Sequence, residues 1–205
     1  MGKARTSTAP FLFPLRPLCR LWLSFGVAFR KSKRTYDPPA LYEYAVGALS
    51  RRMRSVAELK RLLRQKNIDG DDREAVIEAV IRKLKDQRYL NDSDFAALYT
   101  SYRKSNEKFG KLRVITDLRQ KGVHGEVIDK AISAAYEDVN EEQLAREHLT
   151  RKRLKKPATQ KESARVYRAL ARAGFSSRII FKVLKQWDVD DETLTALSEE
   201  TEELP

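Results

Sequence analysis

The amino-acid sequence predicts an all-α protein of three tandem three-helix repeats, nine helices in all, stacked into an elongated curved body. One short motif occurs three times, as Leu63–Ile68, Leu118–Val123 and Leu170–Phe175, at offsets of 55 and 52 residues. Around each copy, apolar residues recur at the i, i+3, i+4 and i+7 spacing of a helix with one buried face. No segment of the repeats has the alternating pattern of a strand.

Each copy of the motif predicts a helix end, a tight turn and one apolar residue that packs back on the helix. Gly122 and Gly174 stand where a helix C-terminus favours a residue in the left-handed conformation. Asn67 is the next best residue for that place, so we expect the same turn in all three repeats.

The first repeat is predicted to cover residues 36–90. Pro38 and Pro39 can begin a helix, and Ser55–Glu58 is a capping box for the next one. Asp71–Glu74 predicts the start of a third helix. The buried stripes of the three helices are Leu41, Tyr44, Ala45, Ala48 and Leu49, then Leu59, Leu62 and Leu63, then Val76, Ile77, Val80, Ile81 and Leu84.

The second and third repeats are predicted over residues 91–139 and 140–188. Asp92 is the expected N-cap of the second repeat, followed by a buried stripe of Phe95, Leu98, Tyr99 and Tyr102. The third repeat begins at Asn140, and Thr159–Glu162 is its capping box. Tyr89, Tyr99, Tyr102 and Trp187 all fall on apolar stripes, so we expect them in the core and not as surfaces for base stacking.

The two ends of the chain carry opposite charges. Residues 1–36 hold eight basic residues and no acid, whereas residues 188–205 hold eight acids and no base. We expect residues 1–35 to be a disordered basic extension, with an organelle-targeting segment as the alternative, and residues 189–205 to be a disordered acidic tail. Arg16 and Arg20 interrupt the apolar run near the start, which argues against a membrane span or a secretory signal. These features predict a cytoplasmic protein.

Few residues could carry out catalysis. Cys19 is the only cysteine, and His124 and His148 are the only histidines, which we expect at surface or turn positions. The sequence has no glycine-rich phosphate loop. It therefore predicts a protein that is not an enzyme and has neither a cofactor nor a metal site.

Three segments resemble the RecX family of regulatory proteins: Arg88–Ala96, Gly110–Val123 and Arg172–Leu184. In order and at this spacing they make the resemblance specific over residues 40–187. The sequence departs from the family pattern at Arg88, usually glycine, at Asn91, usually aspartate, at Lys111, usually proline, and at Thr116–Asp117. The resemblance implies a modulator of the RecA recombinase, or of its filament on single-stranded DNA, that inhibits its ATPase and recombination activity in DNA repair. Weak direct DNA binding is compatible with it. We expect the protein to be a monomer.

The candidate contact residues are basic side chains that interrupt the helical pattern. A basic surface favours a nucleoprotein partner, and five cations fall within residues 151–156 alone. Two other classes stay open, a helix-turn-helix DNA-binding protein and a helical scaffold with no role on nucleic acid. The candidates are Arg51, Arg52, Arg54, Lys60, Arg61, Arg64, Arg103, Lys104, Lys108, Lys111, Arg113, Arg119, Arg151, Lys152, Arg153, Lys155 and Lys156.

Overall fold

The structure, a computed structural model, describes residues 35–69 and 72–189, together with 192, 195 and 196. The predicted basic extension, apart from Thr35, and most of the predicted acidic tail lie outside these residues. Over residues 35–69 and 72–189 the chain forms nine helices in three groups of three, which confirms the all-α repeat architecture.

The helices have the following bounds. Repeat one contains α1 (Pro38–Arg51), α2 (Val56–Arg64) and α3 (Arg73–Asp86). Repeat two contains α4 (Asp92–Ser105), α5 (Lys111–Gln120) and α6 (Gly125–Tyr136). Repeat three contains α7 (Glu141–Arg151), α8 (Gln160–Arg172) and α9 (Ser177–Lys185).

The expectation that no residue would form a strand is wrong at one place. Thr35–Tyr36 (β1) pairs in parallel with Asn67–Ile68 (β2), and the Asp69 N–H donates to the carbonyl oxygen of Tyr36. Asn67 therefore does not adopt the left-handed conformation expected of it. Extended backbone at Asn67 gains hydrogen bonds from β1 that a left-handed turn would forgo.

The helix-ending turn is confirmed at both predicted glycines, with φ of +74° at Gly122 and +88° at Gly174. In each turn the N–H after the glycine donates to the carbonyl of the leucine five residues earlier, as Val123 does to Leu118. The same bond closes α3, α7 and α9, where Arg88, Arg153 and Asp188 take the positive φ. Five of the nine helices thus end in one way.

The N-cap of α4 differs from the prediction. The side chain of Asn91, not of Asp92, accepts the N–H of Ser93. The carboxylate of Asp92 instead accepts the N–H of Val56 in repeat one at 2.8 Å. Asp92 therefore satisfies a free amide at the start of α2 and ties the second repeat to the first.

Three side chains expected in the core are exposed. Leu98, Tyr102 and Tyr89 keep 57%, 55% and 60% of their surface in solvent. The buried face of α4 instead runs through Phe95, Ala96 and Thr100, with Tyr99 partly covered, and α6 packs along this helix. Trp187 packs partly buried against the core of repeats two and three.

The repeats join through hydrogen bonds at equivalent positions. The N–H groups of Gly110 and Leu112, at the start of α5, donate to the carbonyls of Ala173 and Gly174 at the end of α8. At the other junction the Ser55 hydroxyl, at the start of α2, donates to the Lys121 carbonyl at 2.6 Å. In both cases the second helix of one repeat begins on the glycine turn of the next.

Candidate functional site: two basic grooves

A groove of about 600 Å³ lies between repeats one and two. Its walls come from α2 on one side and from α4 and α5 on the other, and five of its side chains are cationic against two acids. The residues lining this first groove are Arg54, Glu58, Arg61, Leu62, Gln65, Tyr99, Arg103, Arg113, Asp117, Gln120 and Lys121.

A second groove of about 420 Å³ lies between repeats two and three. Arg113 borders both grooves, so the two are neighbours along α5. Four of the side chains around the second groove are cationic and none is acidic. The residues lining it are Phe109, Arg113, His148, Lys152, Leu154, Arg165, Ala169, Arg172 and Ala173.

The two grooves are built by equivalent positions of successive repeats. Arg113 and Arg165 are 52 residues apart, as are Gln120 and Arg172, and this is the offset between the second and third copies of the motif. The first helix of the later repeat contributes residues four apart to each groove, Tyr99 and Arg103 in one and His148 and Lys152 in the other. The grooves therefore follow from the repeat itself.

Asp117 organises the first groove, and its side chain is only 7% exposed. Its carboxylate accepts hydrogen bonds from Arg103 at 2.8 Å and from the Tyr99 hydroxyl at 3.1 Å, and it forms an ion pair with Arg113 Nε at 3.1 Å. Burial raises the pKa of the Tyr99 hydroxyl, so this group stays protonated and can donate. The Arg103 guanidinium also lies over the rings of Tyr99 and Phe109. One acid thus fixes two arginines that face the grooves.

A second ion pair crosses the junction of repeats one and two. Lys121 Nζ lies 2.8 Å from Glu58, and Arg52 reaches the same carboxylate at 3.5 Å. Burial would raise the pKa of Glu58, but the Lys121 hydrogen bond and charge outweigh it and hold this pKa below its usual value. The pair compensates part of the positive charge in the first groove.

Of the seventeen candidate residues, the grooves bring together Arg54, Arg61, Arg103, Arg113 and Lys152. Eight of the others line neither groove and form an ion pair or a hydrogen bond: Arg64 with Glu74, Lys60 with Glu78, Lys108 with Glu147, Lys111 with Glu141, Arg151 with Glu107, Lys156 with Asp188, Arg52 with Glu58 of the first groove, and Lys104 with the Ala135 carbonyl. Among the described residues, no ion pair or hydrogen bond holds the side chains of Arg51, Arg119, Arg153 and Lys155, which lie outside both grooves.

Sequence reasoning missed three cations of the grooves, Lys121, Arg165 and Arg172. None of the three lies in a dense run of basic residues such as 151–156, so a search for clustered charge passes over them. The repeat offset would have found one of them, since Arg165 is equivalent to the candidate Arg113, whereas Arg172 is equivalent to the uncharged Gln120.

His148 is buried, not at a surface or turn position as expected, and is 2% exposed. Its ring lies between Phe109 and Phe175, with Nδ1 3.1 Å from the carbonyl oxygen of Glu107. That oxygen can only accept, so Nδ1 carries the proton of a neutral ring. Burial, assisted by the charges of Lys152 and Arg151, lowers the pKa of His148 below its usual 6.5.

Stability should therefore depend on pH through His148. Below about pH 6.5 the unfolded chain binds a proton that folded His148 resists, so the free energy of unfolding falls as the pH drops, by at most about 1.4 kcal/mol per pH unit. Urea denaturation between about pH 7 and 5 measures this slope. His148→Gln keeps an N–H donor and cannot titrate, so it should flatten the slope; an equal slope in this variant would contradict the assignment.

Each of the three repeats matches a family model built from known proteins. Family models described as the first, second and third three-helix domains of RecX match residues 42–86, 91–132 and 140–184. The three matches follow the three repeats of the structure in order. The chain belongs to the RecX family.

Several RecX proteins are similar to it. Regulatory protein RecX of Bacillus pumilus (strain SAFR-032) is 34% identical over 167 residues, covering 80% of this chain and 58% of the relative. RecX of Bacillus subtilis (strain 168) is 32% identical over 152 residues, or 74% and 56%. RecX of Mycolicibacterium vanbaalenii is 34% identical over 143 residues, or 66% and 76%. The chain thus spans less than two thirds of the two Bacillus proteins.

The crystal structure of RecX from Lactobacillus salivarius has the same fold. It superposes with a TM-score of 0.58 at 22% identity, covering 74% of this chain and 96% of the other. The RecX relatives are named regulatory proteins and not enzymes. None of the helices in the described residues combines the length and apolar character needed to span a membrane.

Proposed function

We propose that this chain is a cytoplasmic, non-enzymatic regulator that binds the RecA recombinase filament on single-stranded DNA and inhibits its ATPase and recombination activity. The RecX family supplies the regulatory role, and the resemblance of the three motifs to that family implies RecA as the partner. A regulator bound to the filament would inhibit the ATPase and recombination activity of RecA if it kept the filament in a single conformation. We expect the regulator to act as a monomer.

The observation that carries the proposal is the positive charge of the two grooves. Together they are lined by eight cationic side chains and two acids, and they meet at Arg113. Both acids are already bound to cations of the same groove. A nucleoprotein filament presents phosphates and acidic side chains, and a cationic cleft attracts such a polyanion and releases its counterions. We propose that the grooves bind the filament in this way.

Charge reversal in the second groove tests the proposal. Changing Lys152, Arg165 and Arg172 together to Glu should weaken binding to the RecA filament by about 100-fold at low salt. The salt slope should fall by roughly 0.7 for each phosphate that the groove no longer neutralises. Inhibition of the DNA-dependent ATPase of RecA should weaken in parallel. All three side chains project from the surface of α8 or the end of α7, so the helical circular-dichroism spectrum should not change.

The matched control reverses three charges outside both grooves, Arg51, Arg119 and Lys130. Equal weakening by both triple variants would mean that net charge alone governs binding, and the grooves would have no special role. Parallel measurements on DNA alone and on RecA alone separate the other classes: tight sequence-specific binding to duplex DNA would favour a helix-turn-helix protein, and no binding to any of the three would favour a scaffold.

A further inference from the structure

We propose that the second groove also has an internal ligand, the acidic cluster Glu199, Glu200, Glu202 and Glu203 of this chain's own C-terminal segment. The cluster competes there with the polyanionic partner. The inference rests on the proposed function in one respect: the groove must be the place where a polyanion binds.

The second groove has cations that no ion pair within the described residues neutralises. Lys152, Arg165 and Arg172 make no ion pair or hydrogen bond with any described residue, and no acid lines the groove. The first groove differs, because Glu58 and Asp117 already neutralise part of its charge. A tethered anion is therefore attracted more strongly to the second groove than to the first.

The C-terminal segment begins beside this groove. Asp188, its first acid, lies 2.6 Å from Lys156, and its positive φ of 58° turns the chain out of α9. Leu154, two residues before Lys156, lines the groove. Lys152 is four residues from Lys156, so their Cα atoms are at most about 14 Å apart.

The length of the segment fits this distance. Glu192 is exposed, and the densest group of acids in the segment, residues 199–203, comes later in the chain. Glu199 lies eleven positions after Asp188, a span of about 16 Å if wholly helical and just under 40 Å if extended. The segment is therefore long enough for residues 199–203 to reach Lys152.

The internal contact is weak enough to be displaced. Each exposed ion pair contributes little by itself, but tethering gives the acids an effective concentration in the mM range. The segment would then prevent weak polyanions from binding to the groove. A filament that presents many phosphates at once would displace it. Salt weakens both contacts, so the competition matters most at low ionic strength.

The test uses the full chain and a fluorescein-labelled oligothymidylate, with affinity read by fluorescence anisotropy. Changing Glu199, Glu200, Glu202 and Glu203 to Gln should tighten binding about 2- to 10-fold at low potassium chloride and have no effect at high salt. The matched control neutralises four exposed acids of repeat two, Glu126, Asp129, Glu137 and Asp138. An equal increase in affinity in the control would overturn the proposal, because net charge would then explain both.

The same measurement in a variant of the second groove tests whether the acidic cluster binds there. With Lys152, Arg165 and Arg172 changed to Gln, neutralising the acidic cluster should no longer change the affinity; an undiminished increase would place the cluster elsewhere and overturn the proposal. The two proposals fail separately. If the groove variant weakens filament binding while neutralising the cluster changes nothing, the internal ligand is wrong and the proposed function stands.

Discussion

Replacing Gly174 by Ala should lower the free energy of unfolding by about 3 to 5 kcal/mol. Gly174 has a φ of +88°, and an added Cβ would lie 2.2 Å from the backbone nitrogen of Arg113 and 2.5 Å from its Cβ. The start of α5 would have to move away from the end of α8. That movement weakens the hydrogen bonds from Gly110 and Leu112 that join repeats two and three, at about 1 kcal/mol each, in addition to the strain of the left-handed backbone.

Gly47→Ala is the matched control. Gly47 lies inside α1 and an added Cβ would meet nothing within 4 Å, so the same substitution should stabilise the protein by about 0.5 to 1 kcal/mol. Urea denaturation followed by circular dichroism measures both variants. A Gly174→Ala protein as stable as the unchanged chain would mean that the junction between repeats two and three is not built on this turn.

The repeat architecture could be predicted because each helix carries its own periodic stripe and two of the three copies of the motif carry a glycine at the turn. Asn67 shows where local information ends. Its neighbours resemble those of Gly122, but its conformation is decided by β1, about thirty residues earlier in the chain. A motif of six residues cannot contain that partner.

Which face of α4 is buried also depends on residues far away in the chain. Leu98 and Tyr102 match the apolar spacing of Phe95, yet the covered face runs through Ala96 and Thr100. Small residues there let a neighbouring helix approach closely, and α6 packs along α4. A prediction from apolar spacing favours large apolar residues, and it therefore misses a buried face formed by small ones.

The sequence predicts that the candidate site is basic, but it does not predict which basic residues form it. The sequence shows many cations on helical faces, but their partners lie far away in the chain, as Arg151 and Glu107 illustrate. The two grooves and their repeat equivalence become clear only when α2, α5 and α8 are placed side by side. Basic charge was visible in the sequence, and its arrangement was not.

Asp117→Asn should have the second large effect on stability. Whether it strengthens or weakens binding of the filament distinguishes two roles for Asp117. The change removes the acceptor charge from Arg103 and Arg113, and we expect the free energy of unfolding to fall by about 2 to 3 kcal/mol. This is less than for a fully buried pair, because the Arg113 side chain is 45% exposed. If Asp117 acted on a bound polyanion only through its charge, its removal would tighten binding.

We expect the opposite, an affinity for the RecA filament about 10-fold weaker, because Arg103 and Arg113 no longer have the carboxylate that holds them toward the grooves and must be ordered on binding. Affinity should be measured well below the melting temperature of the variant, so that all molecules are folded. Asp129→Asn, on the exposed face of α6, makes the same change in net charge away from both grooves. Tighter binding by Asp117→Asn than by this control would show that Asp117 only repels the ligand, whereas weaker binding identifies it as the residue that positions the two arginines.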